Sequence, residues 1–394
     1  MKIGIVTMLG NSNYGNLLQN LAVQTVIENL GYEACTLNNN TSYCGVVNSG
    51  KRNKFTYSYL KNYVRSYMFN KCGCKNDRDY KINNVLPMIR NSSKFSEVFA
   101  EREELLSLFR DEHIKYNPNP VDSKEFSETS DEYLAFVCGS DVVWHPRYHK
   151  DKTADFLGFA PQYKRIAFAP SFGVSEIVDL ERRNDYFNWL MGINYLSVRD
   201  ESGYELVKDI TGQEAIVLMD PTLCVSADKW REYVRVPVNK PSDNYSLCYF
   251  LGNMTKEYQE YIEKTSEGKE IIYICDAQDI THYATSVEEL LWLIDNADMM
   301  FTDSFHGIVF SILFHTNFVS FERVEKGLNI YTRIESLLKM TGLDQCKFGN
   351  DIKNIDFCKS DQAINIRKQI MIDYLRESIN DIKRIVRKKT DENK

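Results

Sequence analysis

Apolar residues crowd into "KIGIVTML" (2–9), give way to the polar run "GNSNYGN", and return at three- and four-residue spacing in "NLLQNLAVQTVIENLGY". The first run predicts a buried strand and the last a helix closing near Gly31, where a cap belongs. Strand, polar loop and helix recur at "EYLAFVCGSDVVWHP" and "RIAFAPSFG". Around residues 188–193 the pattern restarts, through "INYLSVRDESGYELVKDITG", "EAIVLMDPTL", "YSLCYFLG", "EIIYICD", "VEELLWLIDNADMMFTDSFHGIVFSILFHT" and "NFVSF". Such alternation predicts an α/β protein with parallel sheets covered by helices on both faces. We expect two doubly wound, Rossmann-like domains facing a cleft: 1–190, 191–350, and a helical, increasingly basic tail over 351–394. Ligands of such sheets gather outside the carboxyl ends of the strands, so polar loops there are the places to search.

One stretch breaks the alternation. Residues 51–90 carry ten Lys or Arg against two Asp, interleaved with Tyr, Phe, Leu and Val. A solvated helical insertion accounts for this. So does a face laid against anionic lipid or a lipid-linked substrate, with aromatics at the interface. A second basic cluster, Lys383, Arg384, Arg387, Lys388 and Lys389, lies in the tail.

Composition narrows the picture. The chain has 394 residues, 43% of them hydrophobic, enough for two cores, and its formal charge of −7 supplies no overall attraction to nucleic acid. Its start lacks the apolar core of a signal peptide, and no apolar run is long enough to span a bilayer. We therefore expect a cytoplasmic protein, peripheral at the inner face of the membrane if the basic insertion touches lipid. Ten scattered cysteines, several in predicted strands (Cys138, Cys224, Cys248, Cys275), match a reducing compartment. The pair Cys72 and Cys74 has no second pair at zinc-finger spacing, and "DRD" at Asp77 to Asp79 does not follow an apolar strand, so no metal is expected.

The candidate chemistry lies at predicted strand ends. In "GNSNYGNLLQN", Gly10 and Gly15 let the backbone approach a ligand, ahead of a helix whose free amides favour an anion. The loop matches neither GxGxxG nor GxxxxGK followed by Ser or Thr, so NAD and ATP are not supported. Asn13, Asn16 and Gln19 can bond sugar hydroxyls or a carboxylate; helix capping by Asn is the plainer alternative. Ser140 and Asp141 in "CGSDVVWHP" stand where a hydroxyl-binding carboxylate or a catalytic base fits, or where a capped turn leaves Trp144 to the core. Arg199 in "SVRDESG" can hold phosphate or carboxylate through paired hydrogen bonds, or form a salt bridge to Asp200 or Asp220. His306 in "TDSFHG" falls at a helix N-terminus, where an anion is favoured, and an imidazole titrates near neutral pH and so moves protons. His113, His145, His149, His282 and His315 lack such a setting. Neither GxSxG nor HExxH occurs.

In this order, "NYGNLLQ", "CGSDVVW", "SVRDESG", "DPTL" and "TDSFHG" resemble the polysaccharide pyruvyl transferase family over roughly residues 3 to 320. The resemblance implies a fold like that of the glycosyltransferase B class, with the last helix returning to the first domain, an acceptor side in the first domain and a donor side in the second. It further implies phosphoenolpyruvate as donor substrate, no separate cofactor, and a sugar or lipid-linked oligosaccharide as acceptor, giving a pyruvate ketal. The family's donor-site arginine falls on Arg199 and its histidine on His306. Ser304 stands where many members carry arginine, which leaves Ser304, the helix start at Gly307, Arg323 or Arg333 to meet the donor. Two other readings share the fold: a glycosyltransferase using a nucleotide sugar, and a glycan-binding assembly protein, which Ser304 favours.

Overall fold

The computed structural model describes residues 1–8, 13–39, 92–146, 153–276, 279–324, 331–350, 352 and 355–392. The basic aromatic stretch 51–90, with Cys72 and Cys74, lies outside the described residues, as do Gly10 and His149.

In chain order the elements are β1 (Lys2–Val6), α1 (Tyr14–Asn29), β2 (Glu33–Asn38), α2 (Ser92–His113), β3 (Tyr116–Pro120), α3 (Lys124–Thr129), β4 (Tyr133–Cys138) and β5 (Arg165–Ala167). There follow α4 (Leu180–Met191), β6 (Ser197–Val198), α5 (Glu201–Thr211), β7 (Ile216–Val217), α6 (Ala227–Arg231), β8 (Tyr245–Tyr249), α7 (Lys256–Thr265) and β9 (Glu270–Ile274). The chain ends with α8 (Val287–Asn296), β10 (Met299–Thr302), α9 (Phe305–Phe314), β11 (Phe318–Ser320), α10 (Tyr331–Thr341) and α11 (Phe357–Glu392).

All strand pairs are parallel, as the alternation predicts. One sheet of five strands runs β3-β2-β1-β4-β5, and a second of four runs β11-β10-β8-β9. Strand burial follows: every residue of β4, "YLAFVC", and of β8, "YSLCY", is buried, which a central strand covered on both faces requires. In each sheet the strand order reverses once, between β1 and β4 in the first and between β8 and β10 in the second. These reversals open the crevices where ligands of α/β sheets bind.

The described residues divide into two compact units, the first within Met1–Gly45, Arg110–Val225 and Cys358–Lys394, the second within Val46–Phe109 and Ser226–Phe357. The division thus falls at Val225/Ser226 and not near residue 190. Tyr195 bridges in parallel to Ile166, and β6 pairs with β7 as a separate two-stranded sheet, so "SVRDESG" lies beside the first sheet and carries Arg199 with it. Nor is the tail a separate piece. Along α11 the Tyr374 hydroxyl donates to the Ala167 carbonyl at 2.9 Å and Asp381 accepts from the Tyr195 hydroxyl at 2.6 Å, fastening the helix to the first unit. Cys138, Cys224 and Cys248 are buried and form no disulfide among the described residues. No described helix is long and apolar enough to cross a membrane.

Candidate functional site

At the reversal of the first sheet, Ser140 and Asp141 follow β4 directly. Asp141 adopts a left-handed φ of 67°, which short acidic side chains tolerate, and its Oδ1 accepts the Val142 amide at 2.8 Å. Trp144 is wholly buried in the core behind them. Arg199 is also buried; its Nη1 donates to Asp220 Oδ2 at 2.8 Å and stands 3.8 Å from Asp141 Oδ1. The Ser140 hydroxyl donates to the same Asp220 oxygen at 3.2 Å. Of the two acids considered as partners of Arg199, Asp220 takes the role. Asp200 instead caps α5, accepting from the Gly203 amide at 2.9 Å and from the Ser171 hydroxyl at 2.8 Å. The guanidinium stands between two carboxylates.

The residues after β1 are more occupied. Asn13 caps α1, its side-chain oxygen accepting the Gly15 amide at 2.9 Å. Gln19 is fully buried, and its carboxamide nitrogen reaches the Ser140 carbonyl at 2.8 Å and the Thr7 hydroxyl at 2.7 Å. Asn16 is buried on the same helix. Gln19 therefore joins the loops after β1 and β4, and Ser140, Asp141 and Arg199 form one group beside it.

The second reversal is built around an acid. Asp303, at 1% exposure, follows β10, and its two oxygens accept the amides of Leu251 at 2.6 Å and Gly252 at 2.7 Å, in the loop after β8. Arg323 grips it from the other side, Nη2 donating to the Asp303 carbonyl at 3.2 Å and Nε lying 3.5 Å from Oδ2. A Cβ on Gly252 would stand 2.5 Å from Arg323 Cγ, so only glycine allows this approach. Ser304 caps α9, accepting the Gly307 amide at 3.3 Å. A Cβ on Gly307 would meet Thr302 Oγ1 at 2.8 Å and Met300 Cε at 3.0 Å, so this glycine answers a packing need against β10.

His306 lies in the first turn of α9 at 8% exposure, its ring edge-on to Phe305 with centroids 5.4 Å apart. The buried guanidinium of Arg333 lies over the Phe305 ring, 6.0 Å from its centre. Burial pushes the Tyr249 phenol up, while Arg102 and Arg323 act in the opposite sense, which adds Arg102 to the cations near this edge. Ser304, His306, Gly307, Arg323 and Arg333 thus gather in the second unit, and Arg199, expected on the donor side with them, belongs to the first. His282 has an unrelated setting, with Nδ1 2.8 Å from Asp279 and Nε2 3.2 Å from the Asn239 carbonyl.

Asp220 and Asp303 organise the two edges; Asp303 was not among the candidates, and Asp220 entered only as a salt-bridge alternative for Arg199. For Asp220 the signal was Asp-Pro, an acid capping a short helical turn with proline at its first position. For Asp303 it was an acid directly after an apolar strand, which a buried position tolerates only with several donors.

The model of the family described as polysaccharide pyruvyl transferase matches residues 13–323, a span that contains every candidate residue from Asn13 to Gly307. No curated protein matches the sequence. Among solved structures the chain is similar to the wall teichoic acid polymerase TagF, at 12% identity and a TM-score of 0.44, covering 98% of this chain and 89% of that one. It is also similar to UDP-GlcNAc 2-epimerases from Methanocaldococcus jannaschii (12% identity, TM-score 0.33, 93% and 99% covered) and Neisseria meningitidis (10%, 0.37, 98% and 99%).

Proposed function

Because this chain belongs to the polysaccharide pyruvyl transferase family, we propose that it moves pyruvate from phosphoenolpyruvate onto two hydroxyls of a sugar, in a surface polysaccharide or its lipid-linked precursor, as a cyclic ketal. One observation carries the assignment of residues: the candidates collect at the strand-order reversals of the two sheets, the places where such sheets take ligands.

Phosphoenolpyruvate is an enol ester. A proton delivered to its methylene carbon leaves the adjacent carbon electrophilic, and His306 supplies that proton. A sugar hydroxyl then attacks, forming a carbon–oxygen bond, and its proton passes to Asp141. A second hydroxyl forms the other bond as the carbon–oxygen bond to phosphate breaks; its proton leaves on inorganic phosphate, the ketal closes, and exchange with solvent returns the proton held by Asp141 and restores the one given by His306. Arg323, Arg333 and the first amides of α9 receive donor charge at the second edge, where Ser304 already serves as cap. Arg199 contacts the donor carboxylate, and Ser140 with Asn13, Asn16 and Gln19 lines the acceptor.

Phosphate release from phosphoenolpyruvate, measured with and without galactose- and mannose-type acceptors and followed by mass analysis of the sugar, tests the reading. Acceptor-dependent release with a pyruvylated product is the expected result. Stabilisation by nucleotide sugars with no such release would replace it with a glycosyltransferase, and glycan binding with no release would leave a binding protein.

A further inference from the structure

The side chain of Arg199 is 3% exposed, so water does not choose its direction; its neighbours do. Its nearest acid, Asp220, is itself fixed. Asp220 has a side chain with no exposure, and its Oδ1 accepts from the Thr222 amide at 3.0 Å and the Thr222 hydroxyl at 2.6 Å. That leaves Oδ2, which takes Arg199 Nη1 at 2.8 Å and the Ser140 hydroxyl at 3.2 Å. Asp141 lies 3.8 Å from the same Nη1, beyond hydrogen-bonding distance, and its Oδ1 accepts from Val142.

A carboxylate so enclosed meets no substrate, yet one of its oxygens sets the position of two residues that do in the reading above. We propose that Asp220 is the positioning residue of this edge, aligning Arg199 and Ser140 and keeping the guanidinium closer to itself, at 2.8 Å, than to Asp141, at 3.8 Å. Without the Asp220 charge, the nearest carboxylate to Arg199 is Asp141. The guanidinium then swings onto it, which misplaces the donor contact and occupies the base in one movement. The charged groups of the cluster are Arg199, Asp141, Asp220 and, through Ser171, Asp200. The inference rests on the pyruvyl transfer reading for what the alignment achieves, although the alignment itself does not.

A double-mutant cycle separates alignment from plain support. Asp220→Asn keeps size and removes charge; the expected loss in kcat/KM for phosphoenolpyruvate is about 10- to 100-fold, the range for outer partners of functional groups. In an Arg199→Ala background the same change should cost almost nothing further, because the group it aligns is gone. Equal losses in both backgrounds would overturn the proposal. Thr222→Val, which removes only the 2.6 Å bond from the hydroxyl, is the milder variant should Asp220→Asn fail to fold, with a smaller loss of the same kind expected. Guanidinium 1H–15N spectra need no turnover. The Arg199 signal, assigned by its loss in Arg199→Lys, should be resolved in the unaltered protein and move to a new position in Asp220→Asn as the guanidinium changes partner; an unchanged signal would refute the alignment. Absence of phosphate release by the unaltered protein would instead refute the reading of function and leave the spectral test standing.

Discussion

The two sheet edges share a construction and differ in charge. Each has a central buried strand, an acid just beyond a strand, and an arginine gripping it. At the first edge Asp141 and Asp220 both face the guanidinium of Arg199, which is shared between them. At the second, Asp303 is held by two backbone amides as well as by Arg323, while Arg333 and His306 lie within a residue of Phe305 in sequence or in ring contact with it. Amides that satisfy an acid release cationic side chains for other use. In the reading proposed above, the first edge takes a proton from a hydroxyl, and the second holds donor charge and supplies a proton.

The largest effect expected of any change tests that division. His306→Ala should lower turnover by about 100- to 10,000-fold, the usual contribution of a positioned proton donor, with thermal unfolding showing a folded protein. Asp141→Asn at the other edge should fall in the same range if that edge holds the base. A loss at one edge only would place both proton transfers there and break the comparison.

Stability should separate the edges next. Asp303→Ala leaves Arg323 and the amides of Leu251 and Gly252 facing a gap, and breaking a buried charged pair of this kind costs about 3–5 kcal/mol. Urea unfolding measures it. A loss below 1 kcal/mol, the level of an exposed ion pair, would mean that the acid is dispensable and that the loops after β8 and β10 are held otherwise.

A pH titration localises a third difference. Burial alone would push the His282 imidazole down, and the Asp279 carboxylate at 2.8 Å more than reverses it, so its pKa is raised; that of Asp279 is lowered. A raised folded pKa stabilises fully below the unfolded value near 6.5 and loses that contribution as pH rises through the folded value. Each unit of elevation is worth about 1.4 kcal/mol. Unfolding curves of the unaltered protein and His282→Gln should accordingly differ most at mildly acidic pH and converge as the solution becomes alkaline. A gap that widened with pH would reverse the assignment.

How much of this could be read from the chain depends on distance along it. β1, β4, β8 and β10 were legible because continuous apolar burial leaves few other readings, and the cap at Asn13 was legible because its contact lies two residues away. The unit boundary was missed because β6 and β7 are two residues each, too short for periodicity, and their place is set by a bridge from Tyr195 back to Ile166. The partner of Arg199 was left between an adjacent acid and one 21 residues away, and the distant one prevailed. Asp303 was harder still, since what it does is decided by amides 51 and 52 residues earlier.

The smallest effects sharpen the comparison where the two edges look most alike. Asn13 and Ser304 are both helix caps, one opening α1 in the first unit and the other α9 in the second. Replacing either with Ala should lower stability by about 1 kcal/mol through the loss of one side-chain acceptor for a helix amide. If capping is their whole contribution, phosphate release at saturating donor and acceptor is unchanged in both variants. A raised KM for phosphoenolpyruvate in Ser304→Ala alone would show that the hydroxyl also meets the donor, alongside Arg323 and Arg333. A raised acceptor KM in Asn13→Ala alone would place the sugar at the start of α1. Because the two substitutions remove the same kind of bond, any difference between them beyond stability reports the substrate and not the helix.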